Sequence, residues 1–166
     1  ILTAVPPAFS NTNAVAMAAD HYGISGSVEP LDSERDQNFK LTTQDGLRYT
    51  LKISNFEEQL DVIEFQNQAL LHVAEQDASF PLPRIIPTAD GQLHCRAEQD
   101  GKSHFVRMLS WLEGSTIHEA TVDSGLARRL GQLLARLQAA LRGFDHPGSN
   151  APLLWDMKRA ANLAEL

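Results

Sequence analysis

Lys52 stands at the centre of Arg48-Tyr49-Thr50-Leu51-Lys52-Ile53-Ser54, in which Tyr49, Leu51 and Ile53 alternate with Thr50, Lys52 and Ser54. That period of two reads as a β-strand with one apolar face, and it sends the ammonium out of the opposite face. A compact ammonium held there can neutralise phosphate oxygens. A lone lysine on a half-buried strand is ordinarily a surface charge, so its surroundings decide. An acidic amphipathic helix follows, with Glu64 one turn from Leu60 and two turns from Leu71, at the edge of the apolar stripe. A carboxylate at that edge needs a partner, and Lys52 is the nearest candidate in sequence. A Lys52–Glu64 pair is the expected heart of the site; the plainer alternative is a solvated helix carboxylate.

Other chemistry-bearing groups offer less. Cys95 is the single cysteine, which excludes an internal disulfide and fits a reducing cytoplasm. The six histidines show no H-x-x-x-H spacing. His94, Cys95 and His104 could meet across a hairpin, but a structural zinc site needs a fourth ligand. A formal charge of −7, with no Lys/Arg cluster, argues against nucleic acid as a partner. No apolar run approaches a membrane span. The apolar Ile1–Pro7 stretch has two prolines and no basic flank, so it does not read as a signal peptide.

The elements that must position these groups can be placed by pattern. Asn11-Thr12-Asn13 offers N-cap side chains for a short helix that Gly23 closes. Extended runs over Ser25–Leu31, Asn38–Thr42 and Arg48–Ser54, separated by the polar turn Asp32–Asp36 and by Gln44-Asp45-Gly46, predict three antiparallel strands. A long helix is expected from Asn55 or Phe56 to about Gln76, with Leu60, Ile63, Leu70, Leu71 and Ala74 on one stripe. Pro81–Pro87 reads as a stiff extended connection. Asp90-Gly91 then opens a hairpin whose strands span about Gln92–Ala97 and His104–Leu109, turned by Gln99–Lys102. Asp123-Ser124 caps a helix whose leucine stripe runs from Leu126 to Leu141, with Arg128, Arg129, Arg136 and Arg142 read as a solvated face or last turn. Gly143–Pro152 is a loop, and a further helix begins near Trp155. The order predicts an α+β domain built on a five-stranded antiparallel sheet, with the long helix after strand 3.

In this order several stretches resemble the N-terminal lobe of the aminoglycoside phosphotransferase and choline kinase-like family. They are Arg35-Asp36-Gln37-Asn38-Phe39, Tyr49–Ile53, Ile63-Glu64 with Gln66–Leu70, Phe80–Arg84, Val106–Gly114 and Leu130–Leu137. The pattern is especially similar to the hydroxylysine-kinase-like branch, some members of which precede a class III, pyridoxal-phosphate-dependent aminotransferase domain. The resemblance implies a protein-kinase-like N-lobe with ATP between it and a helical C-lobe. By position, Lys52 would bind the α- and β-phosphates and Glu64 would orient it. Ser110, Trp111 and Leu112 would form the hinge facing adenine, and the turn from Ser33 to Asn38 would lie over the phosphates. It also implies boundaries: an N-terminal extension over 1–12, the N-lobe over 13–109, hinge and linker over 110–122, and the start of the C-lobe over 123–166.

Two departures limit the carry-over. The Asp32–Asn38 turn contains no glycine, unlike the Gly-rich loop of protein kinases. Asp145–Asn150 has the D-x-x-x-x-N spacing of a catalytic loop, but Gly143-Phe144 stands where the family has His-Gly. Asp156 follows Asn150 by only six positions, too few for the intervening hairpin. Asp145–Asn150 is therefore expected to be an ordinary capped loop, with catalytic base and magnesium ligands beyond Leu166 and none in this chain. The expected function is the ATP-binding part of a cytoplasmic kinase that phosphorylates a small hydroxylated acceptor with Mg2+. Pyridoxal phosphate is expected only in a fused downstream domain. The alternative is a non-catalytic nucleotide-sensing or docking module.

Overall fold

The computed structural model describes residues 5–117 and 119–151. In chain order the elements are α1 (Asn11–Tyr22), β1 (Gly26–Leu31), β2 (Gln37–Thr43), β3 (Arg48–Ile53), α2 (Leu60–Gln76), β4 (Ile85–Ile86), β5 (Cys95–Gln99), β6 (Lys102–Ser110) and α3 (Ser124–Ala140). A 3-10 turn over Pro147–Asn150 follows. The helix expected near Trp155 lies outside the described residues.

All strand pairs are antiparallel, in the order β1-β2-β3-β6-β4 with β5 also on β6. The fold is the expected α+β arrangement with its long helix after the third strand. The one addition is the two-residue β4, formed where the stiff Pro81–Pro87 connection lies against β6. β6 is long enough to hold β5 along its first half and β4 near its end. Asp100 and Gly101, at φ 52° and 72°, make the tight β5–β6 turn, a left-handed pair that suits the twist of a two-residue hairpin.

Alternation divides the sheet into two faces. Phe39, Leu41, Leu51, Ile53, Val106 and Met108 pack with Phe9, Ala14, Met17, Ala18 and Tyr22 into the main core, under α1. Ser10, one residue ahead of the expected cap, closes α1 in a reciprocal box with Asn13: each side chain accepts the other's backbone N–H, at 3.1 and 3.0 Å. The Tyr22 hydroxyl donates to the Val106 carbonyl at 3.1 Å, and burial drives its pKa far above the ordinary phenol value.

The long helix starts at Leu60 rather than at Asn55 or Phe56, because Asn55 serves another purpose. Fully buried, Asn55 accepts the Glu57 N–H and donates to the Val5 and Arg35 carbonyls, holding the chain in a turn. Strand β5 likewise begins at Cys95 instead of Gln92, since Thr88 draws Gln92 into a closed turn through three bonds. A second core joins α2 to α3 through Val73, Phe80 and Ala140, flanked by Leu82, Leu133, Leu137 and Leu141. Arg136 is exposed, as expected, and on that surface it grips Asp77 at the end of α2 at 2.6 Å. The loop after α3 presses on α2, where a Cβ on Gly148 would lie 2.3 Å from the Asp61 carbonyl oxygen.

Candidate functional site

The face of the sheet opposite α1 carries the polar residues. Register sets Asn38, Lys52 and Arg107 side by side on β2, β3 and β6. Lys52 Nζ lies 2.5 Å from Asp36 Oδ2, and Asp36 Oδ1 accepts the Asn55 N–H at 3.1 Å. The Asp32–Asp36 turn is thereby fastened to the end of β3. Ser33 is exposed at its tip, and Asn38 leaves its buried Oδ1 without a partner among the described residues.

Glu64 does not meet Lys52. The expected ion pair fails because Glu64 is exposed on a different side of α2. There it borders a polar pocket of about 320 Å3 with Gln68, Gln92, His94 and His146. Burial holds the His94 imidazole below its usual pKa, and the Glu64 charge opposes that shift. What α2 turns toward the sheet is Gln66 and Asn67, whose side-chain oxygens accept from Arg107 Nη2 and Nη1 at 2.6 and 3.0 Å. Arg107 is 2% exposed. Burial pulls its pKa down, and the charges of Asp36 and Glu58 pull it back up.

Asp36 and Arg107 have no role in the sequence reading. One signal was present for Arg107: it is the lone charge within the apolar run Phe105-Val106-Arg107-Met108-Leu109. Asp36 had no comparable signal, since it stands among other polar turn residues.

Lys52 and Arg107 line a largely apolar cleft of about 470 Å3 between sheet, α2 and α3. A smaller slot of about 250 Å3, lined by Thr50, Pro83, Leu109, Ser110, Trp111 and Leu112, shares Pro83 and Leu109 with it. The expected hinge residues thus line a slot next to the cleft that holds Lys52. Their backbone donors differ, however. Ser110 N–H donates to the Arg84 carbonyl at 2.8 Å and Trp111 N–H to the Arg48 carbonyl at 3.1 Å. The Leu112 N–H has no such partner among the described residues.

Asp145 and Asn150 are both exposed, and the stretch between them is capped by His146, whose Nδ1 accepts the Gly148 N–H. A small slot adjoining a largely apolar cleft that carries Lys52 and Arg107 suits a ligand with a flat apolar end and an anionic end. A sequence profile described as the phosphotransferase enzyme family matches residues 27–166. The chain belongs to that family.

As a member of the phosphotransferase enzyme family, it is 34% identical over 155 residues to hydroxylysine kinase of Mus musculus, covering 85% of this chain and 41% of the mouse protein. Hydroxylysine kinase of Bos taurus is 31% identical over 170 residues, covering 92% of this chain and 45% of the bovine protein. The chain therefore spans less than half the length of these curated relatives. Among solved structures, an amicoumacin kinase in complex with AMP-PNP, Ca2+ and Ami superposes with a TM-score of 0.74 at 16% identity, covering 91% of this chain and 46% of that one. A microcompartment-associated aminopropanol kinase gives 0.67 at 17%, covering 89% and 46%. At such identities the likeness shows the fold alone, and that fold is kinase-like.

Proposed function

We propose that this chain is the nucleotide-binding part of an ATP-dependent small-molecule kinase whose acceptor is the hydroxyl of an amino alcohol or hydroxylated amino acid. The observation that carries the reading is that the Ser110–Leu112 slot adjoins the cleft holding Lys52, with Pro83 and Leu109 lining both. Adenine would lie in the slot against Leu109 and Pro83, with the Leu112 N–H as its backbone donor. Lys52 would take the α- and β-phosphates after parting from Asp36, and the turn over Ser33–Asn38 would cover them. In the transfer, the acceptor oxygen forms a bond to the γ-phosphorus while the bond to the ADP oxygen breaks. The acceptor's proton passes to a base outside this chain. Fixed positive charge from Lys52 lowers the energy of the transition state.

Among the described residues no three of His, Cys, Asp and Glu gather as metal ligands. Mg2+ ligands and the base belong, in this proposal, to a C-lobe that begins near residue 123 and continues past Leu166. A fused aminotransferase with pyridoxal phosphate rests on the resemblance alone, and a cytoplasmic location on the single cysteine.

The names of the relatives choose the assay. Full-length protein is incubated with γ-labelled ATP, Mg2+ and either hydroxylysine or aminopropanol, and label in the acceptor is measured. Transfer supports the proposal. Nucleotide binding without transfer to any hydroxylated acceptor would favour the non-catalytic nucleotide-sensing module, and absence of nucleotide binding would end both readings.

A further inference from the structure

Arg107 is buried deeper than Lys52 and lacks what Lys52 has. Asp36 answers the Lys52 charge. No carboxylate lies within ion-pair distance of Arg107 among the described residues. Its terminal nitrogens meet two neutral amides, Gln66 and Asn67, and its Nε is buried with no partner. A guanidinium so enclosed is unfavourable unless an anion arrives. The amides leave its charge intact while fixing the plane of the fork. Both donors to the clamp come from one guanidinium and both acceptors from consecutive residues of α2, so the head group cannot swing away without releasing the helix.

Position decides which anion. Lys52 and Arg107 are directly opposite one another on β3 and β6 and line the same cleft. Opposed residues in an antiparallel pair carry their side chains on the same face and close together. Of the carboxylates whose charge reaches Arg107, Asp36 is already paired with Lys52 and Glu58 is not within ion-pair distance, so no anion touches the guanidinium among the described residues. A ligand with several adjoining negative groups can answer both cations at once, which a single carboxylate cannot.

We propose that Arg107 is a second phosphate-binding cation of the cleft, oriented by Gln66 and Asn67 and acting beside Lys52 on the polyphosphate of the nucleotide. The proposal rests on the nucleotide reading, and its test separates the two. Calorimetry on the full-length protein compares ATP, adenosine and inorganic tripolyphosphate, for wild type, Arg107→Met, Arg107→Lys and, as a charge control on an exposed part of β5, Arg96→Met.

The expected result is an ATP affinity at least ten-fold weaker in Arg107→Met, with adenosine changed less than two-fold, partial recovery in Arg107→Lys and no effect of Arg96→Met. Should Arg107→Met fail to fold, Gln66→Glu decides, because it neutralises the guanidinium without removing it. That variant should melt higher than wild type yet bind ATP about ten-fold more weakly. Equal losses for ATP and adenosine, or unchanged ATP affinity in both variants, would overturn the proposal. If wild type binds neither ATP nor adenosine, the nucleotide reading fails by itself. Arg107-dependent binding of tripolyphosphate would then keep the anion site, and its absence would remove it.

Discussion

The two faces of the sheet are built by different means. Phe39, Leu41, Leu51, Ile53, Val106 and Met108 on the α1 side are each at most 1% exposed and held by apolar burial. On the other side, Asn38, Lys52 and Arg107 occupy the matching positions; an ion pair holds Lys52 and two amides hold Arg107. Burial is non-directional and tolerates small adjustments, whereas charges and amides must meet within a few tenths of an ångström. One face therefore carries stability, and the other carries the groups proposed to bind the nucleotide. Substitutions should separate the two.

The largest effect should come from the dry face. Phe39→Ala removes a ring that is 1% exposed, and truncations of that kind typically cost about 3–5 kcal/mol. Urea unfolding followed by circular dichroism measures it. A loss below about 1 kcal/mol would mean that α1 does not hold the sheet as described.

Lys52→Ala tests the opposite face. The Lys52–Asp36 pair is a quarter and a sixth exposed on its two sides, so after allowance for solvent screening its removal should cost less than about 1 kcal/mol. Phosphotransfer by the full-length protein should nevertheless fall by about 100-fold or more, the scale of losing one fixed charge from a transition state. Unchanged turnover would remove Lys52 from the site. A large loss of stability would erase the contrast between the faces.

A smaller measurement sharpens which acid serves Lys52. Double-mutant cycles on unfolding should give a coupling of about 0.5–1 kcal/mol for Lys52 with Asp36, and for Lys52 with Glu64 a value within about 0.3 kcal/mol of zero. A reversed ranking would restore Glu64 as the partner.

That last contrast marks where the sequence stops being readable. The apolar face under α1 and the presence of all three helices follow from periodicity, since Leu51 or Leu133 needs only to be apolar at the right interval. Strand register is harder to read, because it depends on where each turn closes. Asn55 shows the difficulty: its side chain holds a turn through the Val5 and Arg35 carbonyls, and this delays α2 to Leu60. α2 buries Ile63 and Asn67, so Gln66 and Asn67 reach Arg107 on the sheet while Glu64 stays exposed. Lys52 was legible because its type and alternation are local properties. Asp36 was not, and Arg107 was marked only as a lone charge in an apolar run, because their partners are set only once β2, β3 and β6 are aligned.

A second ion pair gives the weakest but most specific test of the division. Arg136 binds Asp77 between α3 and the end of α2, and neither residue borders the cleft. The Asp77 carboxyl is held below its ordinary pKa, first by the Ser79 hydroxyl and then by Arg136. A carboxyl depressed in the folded state stabilises the fold above its unfolded pKa, near 3.9, and that contribution is lost as pH falls through the lower folded value. Asp77→Asn keeps the shape and cannot titrate in that window. Wild type should therefore melt above the variant at pH 6, with the difference shrinking steadily as pH falls below about 4. ATP affinity should be the same in both proteins. A constant melting difference across that range would deny the pair any pH-linked role, and a change in ATP affinity would show that the α2–α3 contact reaches the cationic face after all.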